Sequence, residues 1–134
     1  MERAQDRRVR IIDDVEAARA LFAPAFDGAR DERLYVAHLN AGNRLLGLRI
    51  HYASRNKPVV FPVRSIISDA MSLGSGALVL AHNHPSGDPT PSATDIETTR
   101  RLVQVARPIG IIVRDHLVFG DCERFVSFRQ HGLL

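Results

Sequence analysis

The chain has 134 residues, a formal net charge of +3 and 45% hydrophobic residues, which together predict one globular domain and exclude a largely disordered chain. Cys122 is the single cysteine, so an intrachain disulfide and a zinc site built on two or more cysteines are both excluded. A lone thiol, no stretch near the roughly 18 apolar residues of a membrane span and no signal-peptide core after Met1 predict a cytoplasmic protein without a membrane partner.

The hydrophobic pattern predicts a mixed sheet with helices packed on it, in the α/β or α+β class. In chain order it predicts a helix over 15–22, a β-hairpin over 33–52, a short strand over 59–61, a helix over 65–73, a buried strand over 77–81, a helix over 92–106, and strands over 111–113, 116–119 and 125–128. Asp13 or Asp14 is expected to cap the first helix, and Gly74 to end the second. We expect residues 1–12 to form a flexible N-terminus and residues 13–134 to form a single domain.

Two histidines stand at the end of the predicted buried strand. His82 and His84 are two residues apart, so the alternation of side chains along a strand points both imidazoles to one side. Asp95 follows eleven residues after His84, in the first turn of the next predicted helix. Two imidazoles and one carboxylate form a three-ligand set for Zn²⁺ that leaves a fourth position for water, which is the pattern of a catalytic zinc site.

Each of these residues also has a purely structural interpretation. Either histidine alone is typical of a polar residue at a strand end, and Ser92-Ala93-Thr94-Asp95 matches the capping box of a helix N-terminus. The combination favours a site, because the two histidines lie where a buried strand meets a loop rich in Gly and Pro. Sites of open sheets form at such strand ends.

The same residues carry a resemblance to a known family. His82-Asn83-His84-Pro85 through Ser92 and Asp95 resembles the H-x-H-x7-S-x2-D part of the JAMM motif of JAB/MPN zinc hydrolases. The longer run AHNHPSGDPTPSATDIETTRRL, with IGIIVRDHLVFG and FVSFRQHG after it, is similar to the C-terminal domain of bacterial RadC-like proteins over about residues 30–132. Proteins of that kind often carry an N-terminal helix-hairpin-helix region, which we expect this chain to lack.

The resemblance implies a JAB/MPN fold, a mixed sheet flanked by helices that is similar to the cytidine-deaminase fold. It implies that His82, His84 and Asp95 bind zinc and that Ser92 helps to hold the oxygen of the tetrahedral intermediate. The implied activity is that of a metallopeptidase or isopeptidase, which cleaves amide bonds of a peptide or protein substrate with zinc-bound water. Nucleobase deamination is excluded, because the chain lacks both the H-x-E and the C-x-x-C of those enzymes.

The resemblance also implies a glutamate as general base on the second strand of the hairpin, and Arg49 occupies the position where that glutamate is expected. Arginine cannot accept a proton at neutral pH, and its positive charge disfavours a metal ion nearby. No Asp or Glu lies between Glu32 and Asp69, so a shift of register does not supply the carboxylate. The resemblance therefore implies a zinc metallohydrolase domain whose catalysis is either degenerate or supported by a substitute base. Asp88, in the loop after His84, is the candidate for that base, and a solvated loop carboxylate is its structural alternative.

The alternative function is a nucleic-acid or protein interaction module that binds metal without catalysis. It draws on the pI of about 9.7 and on the DNA-repair label attached to RadC-like proteins. The densest basic run, which consists of Arg3, Arg7, Arg8 and Arg10, is typical of a solvated terminal tail. Few aromatic residues and no recognition-helix signature accompany the charge, so nucleic acid is the weaker expectation for a partner. An exposed hairpin edge would favour a homodimer, which the sequence leaves open.

Overall fold

Five strands form a mixed sheet in the computed structural model, which describes residues 10–52 and 61–134. In chain order the strands are β1 (Arg33–Leu39), β2 (Leu45–Tyr52), β3 (Ala77–Asn83), β4 (Ile112–Phe119) and β5 (Phe125–Ser127). They lie side by side in the order β2-β1-β3-β4-β5, and of these described pairs the β3–β4 pair alone is parallel. β3 is the central strand, and each of its residues is buried.

The helices of the described chain cover both faces of this sheet; they are α1 (Val15–Phe22), α2 (Val63–Leu73) and α3 (Ala93–Ala106). On one face, α1 and the 3₁₀ turn Ala23–Phe26 pack against a cluster that includes Tyr35. On the other face, Ile66 of α2 and Leu102 of α3 share a second cluster with Leu80 of β3. Alternate strand residues supply the two clusters, as the two-residue periodicity of a strand requires. Each fully buried side chain of this size contributes about 1.5–3 kcal/mol to stability. This arrangement confirms the predicted α+β class and agrees with the JAB/MPN fold.

Helix ends follow the predicted capping residues. Asp14 caps α1, and its carboxylate accepts the N–H of Ala17 at 2.7 Å. Gly74 ends α2 with φ at +70°, a conformation that glycine adopts without steric cost. α2 begins at Val63, two residues earlier than predicted; Pro62 precedes it as the N-cap residue, and its carbonyl accepts the N–H of Ile66 at 2.9 Å.

The prediction of two strands over 111–113 and 116–119 is wrong, because β4 runs without a break. Arg114 and Asp115 favour a turn in the sequence, but they lie at a bulge in the pairing of β4 with β3. The buried Asp115 carboxylate accepts the hydroxyl of Ser127 at 2.6 Å and the N–H of Arg129 at 3.0 Å. These partners allow a charged residue to occupy a strand.

Two predicted segments fall partly outside the described residues. Residues 59–60 of the predicted strand over 59–61 are outside the described residues, and Phe61 itself lies outside any strand. Of the predicted N-terminal tail, residues 1–9 are outside the described ranges. The carbonyl of Arg10 accepts the N–H of Leu45 at 2.8 Å, so residue 10 lies along the hairpin. In the described part of the chain, no helix has the length and apolar character needed to cross a membrane.

Strand order determines which chain segments meet at the end of β3. Because β1 is antiparallel to β3, its start lies beside the end of β3, and Leu34 pairs with His82. α3 follows β3 after one loop, which brings its N-terminus to the same edge of the sheet. Three segments therefore lie next to one another at one edge of the sheet: the start of β1, the end of β3 and the start of α3.

Candidate metal centre

The end of β3 brings two imidazoles together. His82, within the strand, is fully buried, whereas His84, directly after the strand, is partly exposed. Their Nε2 atoms are 3.1 Å apart. The ring of Phe61 packs edge-on against His82, with the ring centroids 5.6 Å apart. The two histidines thus share one small polar space at the edge of the core.

The first turn of α3 adds a carboxylate to this pair. One oxygen of Asp95 is 3.1 Å from Nε2 of His84, and the other is 3.4 Å from Nε2 of His82. The same carboxylate accepts the N–H of Ser92 at 2.9 Å, while the Ser92 hydroxyl oxygen accepts the N–H of Asp95 at 3.0 Å. The capping box is therefore confirmed, and it orients the carboxylate towards the two histidines.

The electrostatics of the site favour an ionised Asp95. Burial raises the pKa of the Asp95 carboxyl, but hydrogen bonds with His82 and His84 outweigh burial and hold this pKa far below its usual value. The hydrogen bond to Asp95 raises the pKa of His84, against an opposing effect of burial. A carboxylate that stays ionised beside two imidazoles provides the charge and the donor atoms that a divalent metal ion requires.

The backbone of the loop after β3 fixes the orientation of His84. The carbonyl oxygen of Asp88 lies 2.9 Å from Nδ1 of His84 and can only accept, so Nδ1 carries a proton. In the neutral ring, Nε2 therefore keeps its lone pair on the side of His82 and Asp95. The Asp88 carboxylate, predicted as a substitute base, accepts the N–H and the hydroxyl of Thr90 at 3.0 and 2.7 Å. Asp88 thus contacts His84 through its backbone.

A further carboxylate at this place is one that the sequence analysis did not identify as a site residue. A carboxylate oxygen of Glu32 and one nitrogen from each of His82 and His84 lie within 4.8 Å of one another, and this group could hold a metal ion. Glu32 directly precedes β1. That position was visible in the sequence, but its meaning depends on the antiparallel pairing of β1 with β3.

Asn83 holds the segment that carries Glu32. The side chain of Asn83 is buried; its Oδ1 accepts the N–H of Arg33 at 2.8 Å, and its Nδ2 donates to the carbonyl of Asp31 at 3.0 Å. The residue between the two histidines therefore bonds to the backbone on both sides of Glu32. This clamp fixes the start of β1 against the end of β3.

Arg49, predicted at the position of the general base, lies on β2 opposite Val36. β1 separates β2 from β3, so Arg49 is two strands away from His82 in the sheet. The charge of Arg49 acts on His38, whose pKa burial lowers to about 4; Arg49 adds to this shift and Asp69 opposes it. The carboxylates that the structure brings to the two histidines come from elsewhere, before β1 and at the start of α3.

This chain is similar to a family of known bacterial proteins. The model of the RadC-like JAB domain matches residues 12–133. A UPF0758 protein of Moorella thermoacetica is 43% identical over 104 residues, which cover 77% of this chain and 44% of that protein. A UPF0758 protein of Symbiobacterium thermophilum is 44% identical over 120 residues, which cover 87% of this chain and 50% of that protein.

A third relative, the UPF0758 protein YsxA of Bacillus subtilis, is 41% identical over 104 residues, or 77% of this chain and 44% of that protein. The chain spans about half the length of the curated relatives it matches. Because the domain match covers almost the whole described chain and the fold agrees with it, the chain belongs to the RadC-like JAB domain family.

Proposed function

We propose that this domain is a zinc-dependent hydrolase of amide bonds in which Glu32 is the general base. The observation that carries the proposal is the convergence of Glu32, His82, His84 and Asp95 at one edge of the sheet. The family of the chain is compatible with this activity, and in this proposal three of the side chains hold the metal ion while Glu32 transfers the proton.

Three of the four residues already lie at the mutual spacing of tetrahedral zinc ligands. Tetrahedral zinc binds nitrogen and oxygen ligands at about 2.0–2.1 Å, which places the ligand atoms about 3.3 Å from one another. The two imidazole Nε2 atoms are 3.1 Å apart, and the Asp95 oxygens lie 3.1 Å from His84 and 3.4 Å from His82. Two imidazoles and one carboxylate are also the donor types that zinc prefers in catalytic sites. His82, His84 and Asp95 would therefore hold the ion.

When bound, zinc supplies Lewis acidity that polarises the scissile carbonyl and makes water acidic near neutral pH. In this proposal the Glu32 carboxylate takes a proton from the attacking water and delivers it to the leaving amine. The capping bond uses a lone pair of the Ser92 hydroxyl oxygen, so the Ser92 O–H can donate to the oxygen that becomes negatively charged on the substrate. With Glu32 as the base, Arg49 does not disable the domain.

The test measures zinc binding and hydrolysis in the same preparation. Protein stripped of metal is titrated with zinc and then assayed on fluorogenic peptides and on lysine-isopeptide substrates. We expect one zinc ion per chain and cleavage that depends on it. Glu32→Gln should retain zinc but lose at least about 100-fold in rate, the lower range of general-base effects. Glu97→Gln is the matched control, because this carboxylate is exposed on α3 and pairs with Arg101.

Four results would contradict the proposal. If the protein does not bind zinc, the proposed metal centre is wrong. If the Glu32→Gln variant hydrolyses substrate as fast as the unaltered protein, Glu32 is not the general base. Hydrolysis that appears only in Arg49→Glu shows that the natural domain is degenerate. Zinc binding without cleavage of any substrate would favour the alternative of a metal-binding interaction module.

A further inference from the structure

We propose that Thr99, His116 and His82 form a buried hydrogen-bond chain whose direction reverses when metal binds, with His116 as a positioning residue for His82. The inference rests on the proposed function only in requiring that zinc bind to Nε2 of His82. It assigns a role to two buried polar residues that the proposed reaction does not use.

The three side chains come from three different elements. Nδ1 of His82 on β3 is 2.7 Å from Nε2 of His116 on β4, and Nδ1 of His116 is 2.8 Å from the hydroxyl oxygen of Thr99 on α3. All three residues are fully buried. The His116 ring stacks on Phe128 with centroids 4.6 Å apart and lies 5.2 Å from the ring of Phe61. Aromatic packing therefore holds the ring that links the other two groups.

The hydrogen-bond chain through His82 differs from the single hydrogen bond that orients His84. A neutral imidazole has one N–H and one lone pair. The partner of His84 is the Asp88 carbonyl, which can only accept, so the N–H of His84 has a fixed position. The partner of His82 is a second imidazole, whose own partner is a hydroxyl, and both of these groups can donate or accept. Two opposite arrangements therefore satisfy the ring nitrogens that link Thr99 to His82, namely both nitrogens of His116 and Nδ1 of His82.

Metal binding selects one of the two arrangements. Without metal, the Thr99 hydroxyl donates to Nδ1 of His116, Nε2–H of His116 donates to Nδ1 of His82, and Nε2–H of His82 faces Asp95. Zinc needs the lone pair at Nε2 of His82, so the proton of that ring must lie on Nδ1. His82 then donates to Nε2 of His116, and Nδ1–H of His116 donates to Thr99. Each ring carries one N–H in both arrangements and Thr99 keeps its hydroxyl proton, so the reversal moves protons between ring nitrogens with no net gain or loss.

This reversal makes His116 necessary for tight metal binding. Phenylalanine at position 116 would fit beside Phe61 and Phe128, but it would leave Nδ1–H of zinc-bound His82 buried without an acceptor. Loss of such a partner behind a metal ligand typically weakens binding by about 10–100-fold. Glutamine at position 116 offers an amide oxygen in place of Nε2 and should retain most of the affinity.

The direct experiment records long-range ¹H–¹⁵N correlations of the imidazoles in the whole chain, with and without zinc. The measurement is made at about pH 8, above the ordinary histidine pKa of about 6.5. His82 and His116 should both change from the Nε2–H to the Nδ1–H tautomer on addition of zinc, while His84 stays in the Nδ1–H form. Unchanged tautomers at His82 and His116 would overturn the inference.

Zinc affinity provides the second measurement, by competition with a chromophoric chelator. His116→Phe should bind zinc about 10–100-fold more weakly, while His116→Gln stays close to the unaltered protein. His38→Phe is the matched control, because His38 is also a buried histidine but bonds to Ser75 at the opposite end of the sheet. Unaltered protein that binds no zinc would overturn the proposed function and this inference together. Equal affinity of His116→Phe and the unaltered protein would overturn this inference alone.

Discussion

Replacing Asn83 by alanine tests whether the clamp at the start of β1 positions Glu32. The Asn83 side chain is 3% exposed, and its two hydrogen bonds measure 2.8 Å to the N–H of Arg33 and 3.0 Å to the carbonyl of Asp31. Truncation leaves both backbone groups without these partners beside the core. The segment that carries Glu32 should then move away from the histidines.

The size of the effect follows from these two bonds. An unsatisfied buried polar group costs about 1–3 kcal/mol, so two of them, partly relieved by water at the sheet edge, should destabilise the fold by about 2–4 kcal/mol. At about 2.1 cal/mol/K per residue, the unfolding entropy of 134 residues is about 280 cal/mol/K, and Tm should fall by about 7–14 °C. Displacing a reacting group by about 1 Å can cost about 100-fold in rate, so hydrolysis should fall much further than zinc binding.

The assay combines thermal unfolding, zinc titration and the hydrolysis rate for Asn83→Ala and for a control, Asn40→Ala. The Asn40 side chain also makes two hydrogen bonds to the backbone, accepting the N–H groups of Gly42 at 2.9 Å and Arg44 at 3.0 Å, but in the hairpin turn at the far end of the sheet. The control should lose stability and keep its specific rate. If Asn83→Ala hydrolyses as fast as Asn40→Ala, the clamp does not position Glu32, and an unchanged Tm would show that its bonds do not stabilise the fold.

Two further predictions concern pH and the loop beside the site. Burial lowers the pKa of His38 from 6.5 to about 4 in the fold, so the unfolded chain binds a proton that the fold rejects. The contribution of neutral His38 to the free energy of unfolding is fully present above pH 6.5. It is lost as pH falls towards 4, which lowers the free energy of unfolding by up to about 3 kcal/mol. His38→Gln should flatten that part of the stability curve, and an unaltered curve would contradict the reasoning. Gly120→Ala should lower both Tm and zinc affinity, because a Cβ there meets the carbonyl oxygen of Gly87 in the loop after His84. Gly76→Ala, where the nearest atom is 3.4 Å away, should be tolerated, and equal zinc affinity in the two variants would refute the role of this contact.

Most helices and strands were predictable because their signals are local. The cap at Asp14 and the left-handed Gly74 lie within a few residues of the helices they bound. The break predicted inside β4 failed for the opposite reason. Asp115 looks like a turn residue until Ser127, twelve positions later, is seen to donate its hydroxyl to the carboxylate.

The candidate site divides in the same way between local and distant contacts. His82, His84 and Asp95 are joined by one strand end, one loop and one helix start, so their spacing alone indicates that they meet. Glu32 lies fifty residues before His82 and reaches it only because β1 inserts between β2 and β3. The general base was expected on β2, an edge strand that β1 separates from the histidines, whereas the segment before β1 lies beside them. Asn83 bonds to the backbone on both sides of Glu32, so the motif contains the contact that brings this distant carboxylate into place. Which segment Asn83 bonds to depends on the order of the strands in the sheet, and hydrophobic periodicity does not specify that order.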